Sequence, residues 1–157
     1  MIYIGADHRG FELKEKVKEW LVGEGYEVED VGNHIFDPED DYVDPAVKVA
    51  EMVEGSASAG GYGETRGGDF GILLCGSGHG VDIVANRFPG IRAIIGFNTE
   101  VSVQGREHED ANVLVIPANW VNEEEATERI RAFLQSEPVN IPRYERRRNR
   151  IANLRAK

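Results

Sequence analysis

Residues 70–86 read FGILLCGSGHGVDIVAN. An apolar run with no polar break, FGILLC at 70–75, is the pattern of a strand buried on both faces, and such strands belong to parallel sheets covered by helices. The run ends at Cys75, the only cysteine in the chain, and passes through Gly76, Ser77, Gly78, His79 and Gly80 into the helical stretch GVDIVANRF at 80–88. The same rhythm extends in both directions. Upstream, IYIGA at 2–6 is a buried strand, and Leu13, Val17, Trp20 and Leu21 recur at helical spacing with Gly25 near the stop. YEVEDVG at 26–32 alternates as a strand, and PAVKVAEMVEG at 45–55 is a helix begun by Pro45. Downstream, IRAIIGF and NVLVIP are strands, while TEVSVQGREHE and NEEEATERIRAFLQ are helices. These alternations predict an α/β fold: a three-layer, Rossmann-like open sheet of five parallel strands with helices on both faces.

One domain over 1–157 accommodates all of this. GSASAGGYGETRGGD at 55–69 is rich in Gly and small polar residues and is expected to be a flexible loop. From Arg143 to Lys157 seven Lys or Arg face one Glu, in a chain of net charge -10, so the tail is a separate basic helical object. A solvated helix face accounts for such a run; a nucleic-acid arm does not suit a chain this acidic. With 41% hydrophobic and 29% charged residues and no apolar run near ~18 residues, no membrane span is expected. The start, MIYIGADHRG, lacks the basic and apolar regions of a signal peptide, which points to a cytoplasmic protein. One cysteine forms no internal disulfide, and with so few thiols a zinc site would have to rest on His and carboxylates.

In open α/β sheets ligands bind at the carboxyl ends of the strands. There the first strand delivers Asp7 and His8, and the third delivers Cys75 with the Gly76–Gly80 turn. The glycine run lacks dinucleotide or P-loop spacing, so no nucleotide cofactor is expected; it suits an oxyanion or a phosphate. Nor is it a nucleophile elbow, whose flanking glycines would fall at Cys75 and His79. Read alone, Cys75 is either a small buried hydrophobe or a thiol that ionises readily among backbone donors at a helix start.

GADHRGFELK at 5–14, DYVDPA at 41–46, GILLCGSGHGVDIVANRFPGIRA at 71–93 and REHEDANVL at 106–114 together resemble ribose-5-phosphate isomerase type B, in the family that includes the galactose-6-phosphate isomerase subunits. The resemblance covers nearly the whole chain. It implies an aldose–ketose isomerase of the pentose phosphate pathway, interconverting ribose 5-phosphate and ribulose 5-phosphate without metal or organic cofactor. Under it Cys75 is the base that moves a proton between C1 and C2 through an enediolate, Ser77 keeps the hydroxyl of the family's usual threonine, and His108 opens the furanose ring. The resemblance further implies substrate contacts from Asp7, His8, Tyr42, the backbone of Gly76, Gly78 and Gly80, and Asn86 and Glu109. Arg143 and Arg147, one helical turn apart, match the family's phosphate-binding tail arginines. It also implies a homodimer, or a dimer of dimers, with sites drawing on both chains.

The chain departs from the pattern at three places. Glu109, acceptor-only when ionised, stands where the family usually has Asn, and Asn119 stands where many members carry another phosphate-binding arginine. The loop at 55–69 is longer than in short members, and its Arg66 is a candidate replacement for that arginine. The same chemistry on a tetrose or hexose phosphate is therefore an open alternative. A sugar-phosphate or nucleic-acid binding protein without turnover is another, although binding alone needs neither Cys75 nor His108.

Overall fold

The computed structural model describes residues 1–57 and 68–154. In chain order the elements are β1 (Ile2–Ala6), α1 (Phe11–Gly23), β2 (Val28–Asp30), α2 (Val43–Ala57), β3 (Phe70–Cys75), α3 (His79–Ala85), β4 (Ala93–Ile95), α4 (Thr99–Glu109), β5 (Val113–Pro117), a 3-10 turn (Ala118–Trp120), α5 (Glu123–Gln135) and α6 (Pro142–Ala152). The strands form one parallel sheet in the order β2-β1-β3-β5-β4. The five strands and the helices between them are as the sequence predicts. Three details differ. The second and fourth strands shrink to three residues each at the sheet edges. Residues 55–57, expected in the loop, continue α2; the rest of that stretch from 58 to 67, with Arg66, lies outside the described residues. The 3-10 turn after β5 was not anticipated.

Side chains alternate along each buried strand, as the two-residue period of a strand requires. Ile2, Ile4, Ile72, Leu74, Leu114 and Ile116 point to one face, where they meet Val17 and Leu21 of α1 and Ile130 and Phe133 of α5. Tyr3, Leu73, Cys75, Val113 and Val115 point to the other, against Val49 and Val53 of α2 and Val81 and Ala85 of α3. Each fully buried Leu, Ile or Phe contributes about 1.5–3 kcal/mol, so these two layers hold the sheet. The connection from β1 leads outward to β2, while that from β3 leads the opposite way to β4. Adjacent strands whose connections diverge leave a crevice between their carboxyl ends. Asp7 and His8 enter it from one side, the Cys75 turn from the other.

At the opposite end of the sheet a buried ionic cluster ties α4 to β4 and β5. Asp110, in the left-handed region at φ 54, caps α4 and receives Arg106 Nη1 at 2.7 Å and Arg92 Nη2 at 3.0 Å. Asn112 Oδ1 accepts from Arg92 N–H, and its amide donates to Gly90 O. Removing one member of such a cluster costs about 3–5 kcal/mol, because its partner stays buried and charged. Much of the GIRA and REHEDAN sequence therefore serves architecture.

Candidate active site

At the β1/β3 crevice the chain assembles a compact polar group. Asp7 is buried; its Oδ1 accepts from Arg9 N–H and Gly10 N–H, both at 3.0 Å, which fixes the carboxylate at the start of α1. Cys75 is also buried, and the groups that act on its thiol are the Asp7 carboxylate and the N–H groups of Ser77 and Gly78. Gly78 makes the turn that aims them possible: its φ of 79° is strained for other residues. Gly80 gives the site a wall, since a Cβ there would lie 2.6 Å from the Tyr42 ring that packs across it.

His8 is held twice by Asp40, through its backbone N–H at 2.9 Å and its Nδ1 at 2.7 Å, and Asn33 Nδ2 donates to the other oxygen of the same carboxylate at 3.0 Å. Asn33 O in turn accepts from the fully buried Lys14 Nζ, itself paired with Asp30 at 2.6 Å. With Nδ1 committed to Asp40, Nε2 is the ring atom left to meet a ligand. Asp40 and Asn33 were missed in the sequence because they come from the irregular connection between β2 and α2, where no periodicity marks them.

The expected easily ionised thiol is corrected by this geometry. Burial and the adjacent Asp7, which accepts the thiol hydrogen and repels a thiolate, push Cys75 up to about 11 against the opposing pull of the Gly78 and Ser77 N–H groups. In the free chain at neutral pH Cys75 is a thiol. Alkylation by iodoacetamide follows the thiolate fraction, so in the wild type its rate should still be climbing at alkaline pH. Asp7→Asn removes the charge yet keeps an oxygen for the Arg9 and Gly10 N–H groups, and should bring the midpoint down toward an ordinary thiol. An unchanged midpoint would show that Asp7 does not control the sulfur.

The other expected site residues lie elsewhere. Helices run antiparallel to the strands they follow, so His108 and Glu109, in the last turn of α4, sit at the amino end of the sheet. The His108 ring stacks on Tyr144 of α6 at 4.2 Å between centroids, and Arg148 Nη1 donates to His108 O at 3.1 Å. Arg143 and Arg147 are exposed on that same helix. Glu109 lines a cleft of about 580 Å³ with Arg92, Ile94, Ile151 and Leu154. A five- or six-residue strand spans roughly 16–20 Å, so one chain does not unite His108 with Cys75. Asn86 ties α3 to β4, its amide donating to Ala93 O at 3.0 Å and its oxygen accepting from Ala93 N–H at 2.9 Å, and it lines the same cleft as Glu109. Asn119 stands by the Cys75 turn, its N–H on Gly76 O at 3.1 Å and its side-chain amide against the Gly76 backbone. Among the described residues no cluster of three or more His, Cys, Asp or Glu could hold a metal ion. No described helix is long and apolar enough to cross a membrane.

A parallel α/β sheet with a buried thiol and a carboxylate at its switch point is the arrangement of a domain that takes a small molecule at its strand ends. The chain belongs to the ribose/galactose isomerase family, whose model matches residues 2–153. It is similar to a solved structure of ribose-5-phosphate isomerase B from Mycoplasma genitalium with bound ribulose-5-phosphate, with 32% identity and a TM-score of 0.86 covering 96% of this chain and 93% of that one. Ribose 5-phosphate isomerase from Thermotoga maritima is 40% identical with a TM-score of 0.83, covering 98% and 97%. A 4-deoxy-4-sulfo-D-erythrose isomerase from a Clostridium species is 36% identical over 120 residues, 76% of this chain and 69% of that one.

Proposed function

We propose that this chain is an aldose–ketose isomerase that interconverts ribose 5-phosphate and ribulose 5-phosphate by proton transfer at Cys75. The observation that carries the reading is the Cys75 sulfur set between Asp7 and the Ser77 and Gly78 N–H groups, in the crevice where α/β domains bind small molecules. As thiolate, Cys75 takes the proton from C2 of the open-chain aldose and the electron pair moves to the C1 carbonyl oxygen, giving an enediolate. The C2 hydroxyl then gives its proton to the C1 oxygen, and the electron pair that forms the C2 carbonyl takes the proton from Cys75 onto C1, which leaves the ketose and restores the thiolate. The Gly76–Gly80 N–H groups and the Ser77 hydroxyl stabilise the oxyanion, and Asp7 receives a sugar hydroxyl. His8, oriented by Asp40, meets the phosphate through Nε2.

Ring opening needs a group that takes the anomeric hydroxyl proton and delivers one to the ring oxygen, which is the role of His108. Because His108, Glu109, Arg143 and Arg147 lie at the far end of their own sheet, they serve the Cys75 site of a second copy in a homodimer. The tail arginines then bring positive charge to the phosphate and toward the sulfur, favouring the thiolate that the free chain disfavours.

A second reading, the same chemistry on another aldose with a terminal anion, is favoured by Asn119, a neutral amide beside the Gly76 backbone, and by the likeness to a sulfo-erythrose isomerase. Turnover of ribose 5-phosphate in excess chelator, beside tetrose and hexose phosphates and a tetrose sulfonate, separates the readings. The first expects ribose 5-phosphate to show the highest kcat/KM, unaffected by the chelator. Preference for a tetrose or hexose would transfer the assignment to the second reading, and binding without turnover of any sugar would overturn both.

A further inference from the structure

We propose that Tyr144 is a positioning residue that sets the plane of the His108 imidazole and couples it to an anion held at Arg143; the inference rests on the roles of His108 and Arg143 proposed above. Tyr144 is the one buried residue of α6, a helix otherwise exposed or half-exposed along its length. Its ring lies against His108 with centroids 4.2 Å apart and planes 24° from parallel, so it blocks rotation of the imidazole on that side. Its hydroxyl accepts from Arg143 Nη2 at 2.8 Å, and the guanidinium carbon sits 4.7 Å from the same ring. The remaining guanidinium donors of the exposed Arg143 are left for a ligand.

An anchor for α6 alone would need neither the hydroxyl contact nor an aromatic ring facing a histidine. The backbone of α4 is already tied to this segment by Arg148 Nη1 to His108 O and by Val139 N–H to Glu107 O at 2.9 Å. What Tyr144 adds is orientation. An anion that draws the Arg143 guanidinium also moves the group bonded to the Tyr144 hydroxyl, and the ring transmits that shift to the imidazole stacked on it. Binding of the substrate's charged end is in this way linked to the aim of the group that opens its ring.

Two substitutions separate the parts of the device, once melting and oligomeric size are shown to match the wild type. Tyr144→Phe keeps the stack and loses the hydroxyl; it should hold kcat within about threefold and raise KM severalfold, because Arg143 is no longer held. Tyr144→Leu keeps an apolar anchor and loses the stack; it should lower kcat by about 10- to 100-fold, the scale of a misplaced reacting group. In a His108→Asn background Tyr144→Leu should cost less than about twofold, since a residue acting through His108 has nothing left to act on. An equal loss in that background, or Phe and Leu variants that behave alike, would overturn the proposal.

An arm independent of turnover uses inorganic phosphate as the probe. The His108 Cε1–H signal in NMR should move on phosphate addition in the wild type, and not in Tyr144→Phe or Arg143→Gln. A wild-type signal indifferent to phosphate, or a full response in Tyr144→Phe, would sink the coupling. Failure of the wild type to isomerise any sugar phosphate would count against the proposed function, while the NMR arm would still decide this inference.

Discussion

Cys75→Ala is expected to lower kcat for the proposed isomerisation by about 10³-fold or more, with KM changed little. General base catalysis by a positioned side chain contributes ~10²–10⁴-fold, and in this crevice the thiol is the group that faces the turn where the enediolate oxygen would be held. The charged end of the sugar is held by other residues, so binding should survive. The substitution removes one small atom from a buried position on the sheet face that also carries Leu73 and Val115, and should cost only about 1 kcal/mol of stability. Loss of rate therefore will not be loss of fold, and a melting curve beside the assay checks this. Asp7 sets the floor: a carboxylate next to the vacated position can act as a weak substitute base, and Cys75→Ala/Asp7→Asn should fall below Cys75→Ala alone. If Cys75→Ala keeps wild-type kcat, the proton transfer belongs to another group and Cys75 is the small buried hydrophobe that its residue type also allows.

The strand ends were legible in the sequence because apolar runs bounded by glycine have few other interpretations. IYIGA opens directly onto Asp7 and FGILLC onto the Gly76–Gly80 turn, and the pairing of β1 with β3 brings Asp7 and Cys75 to the same crevice. The ionisation of Cys75 was misread for a related reason. Neighbouring glycines and the coming helix are visible from the local sequence, but the opposing carboxylate arrives from a strand some seventy residues away in the chain. Asp40 was invisible because an irregular connection carries no period, and its role exists only through contact with His8. Asn86 shows that a residue within a recognisable motif also serves the architecture: its amide ties α3 to Ala93. The separation of His108 from Cys75 was, by contrast, deducible. A residue just after a parallel strand lies at the carboxyl end, and one just before the next strand lies at the amino end. His108 precedes β5, whereas Cys75 closes β3.

That separation makes the second large effect a matter of mixing. Cys75→Ala and His108→Asn should each be nearly inactive as homodimers, because every site in either assembly lacks the base or the ring-opening group. If the two copies exchange His108 ends, a heterodimer holds one site with both defects and one site with none. Co-refolding equal amounts should then restore activity to about a quarter of the wild type, since random pairing makes half the dimers mixed and gives each a single intact site. The double variant Cys75→Ala/His108→Asn mixed with wild type provides the contrast: its heterodimers carry one lesion in each site, so the double variant adds no active site and captures wild-type chains into inactive pairs. Activity should therefore fall below that of the same wild-type chain refolded alone. Two inactive variants that stay inactive on mixing, although size and mass measurements show that heterodimers formed, would mean that each chain works alone, and the Arg143–Tyr144–His108 end would then need a purpose other than the Cys75 site.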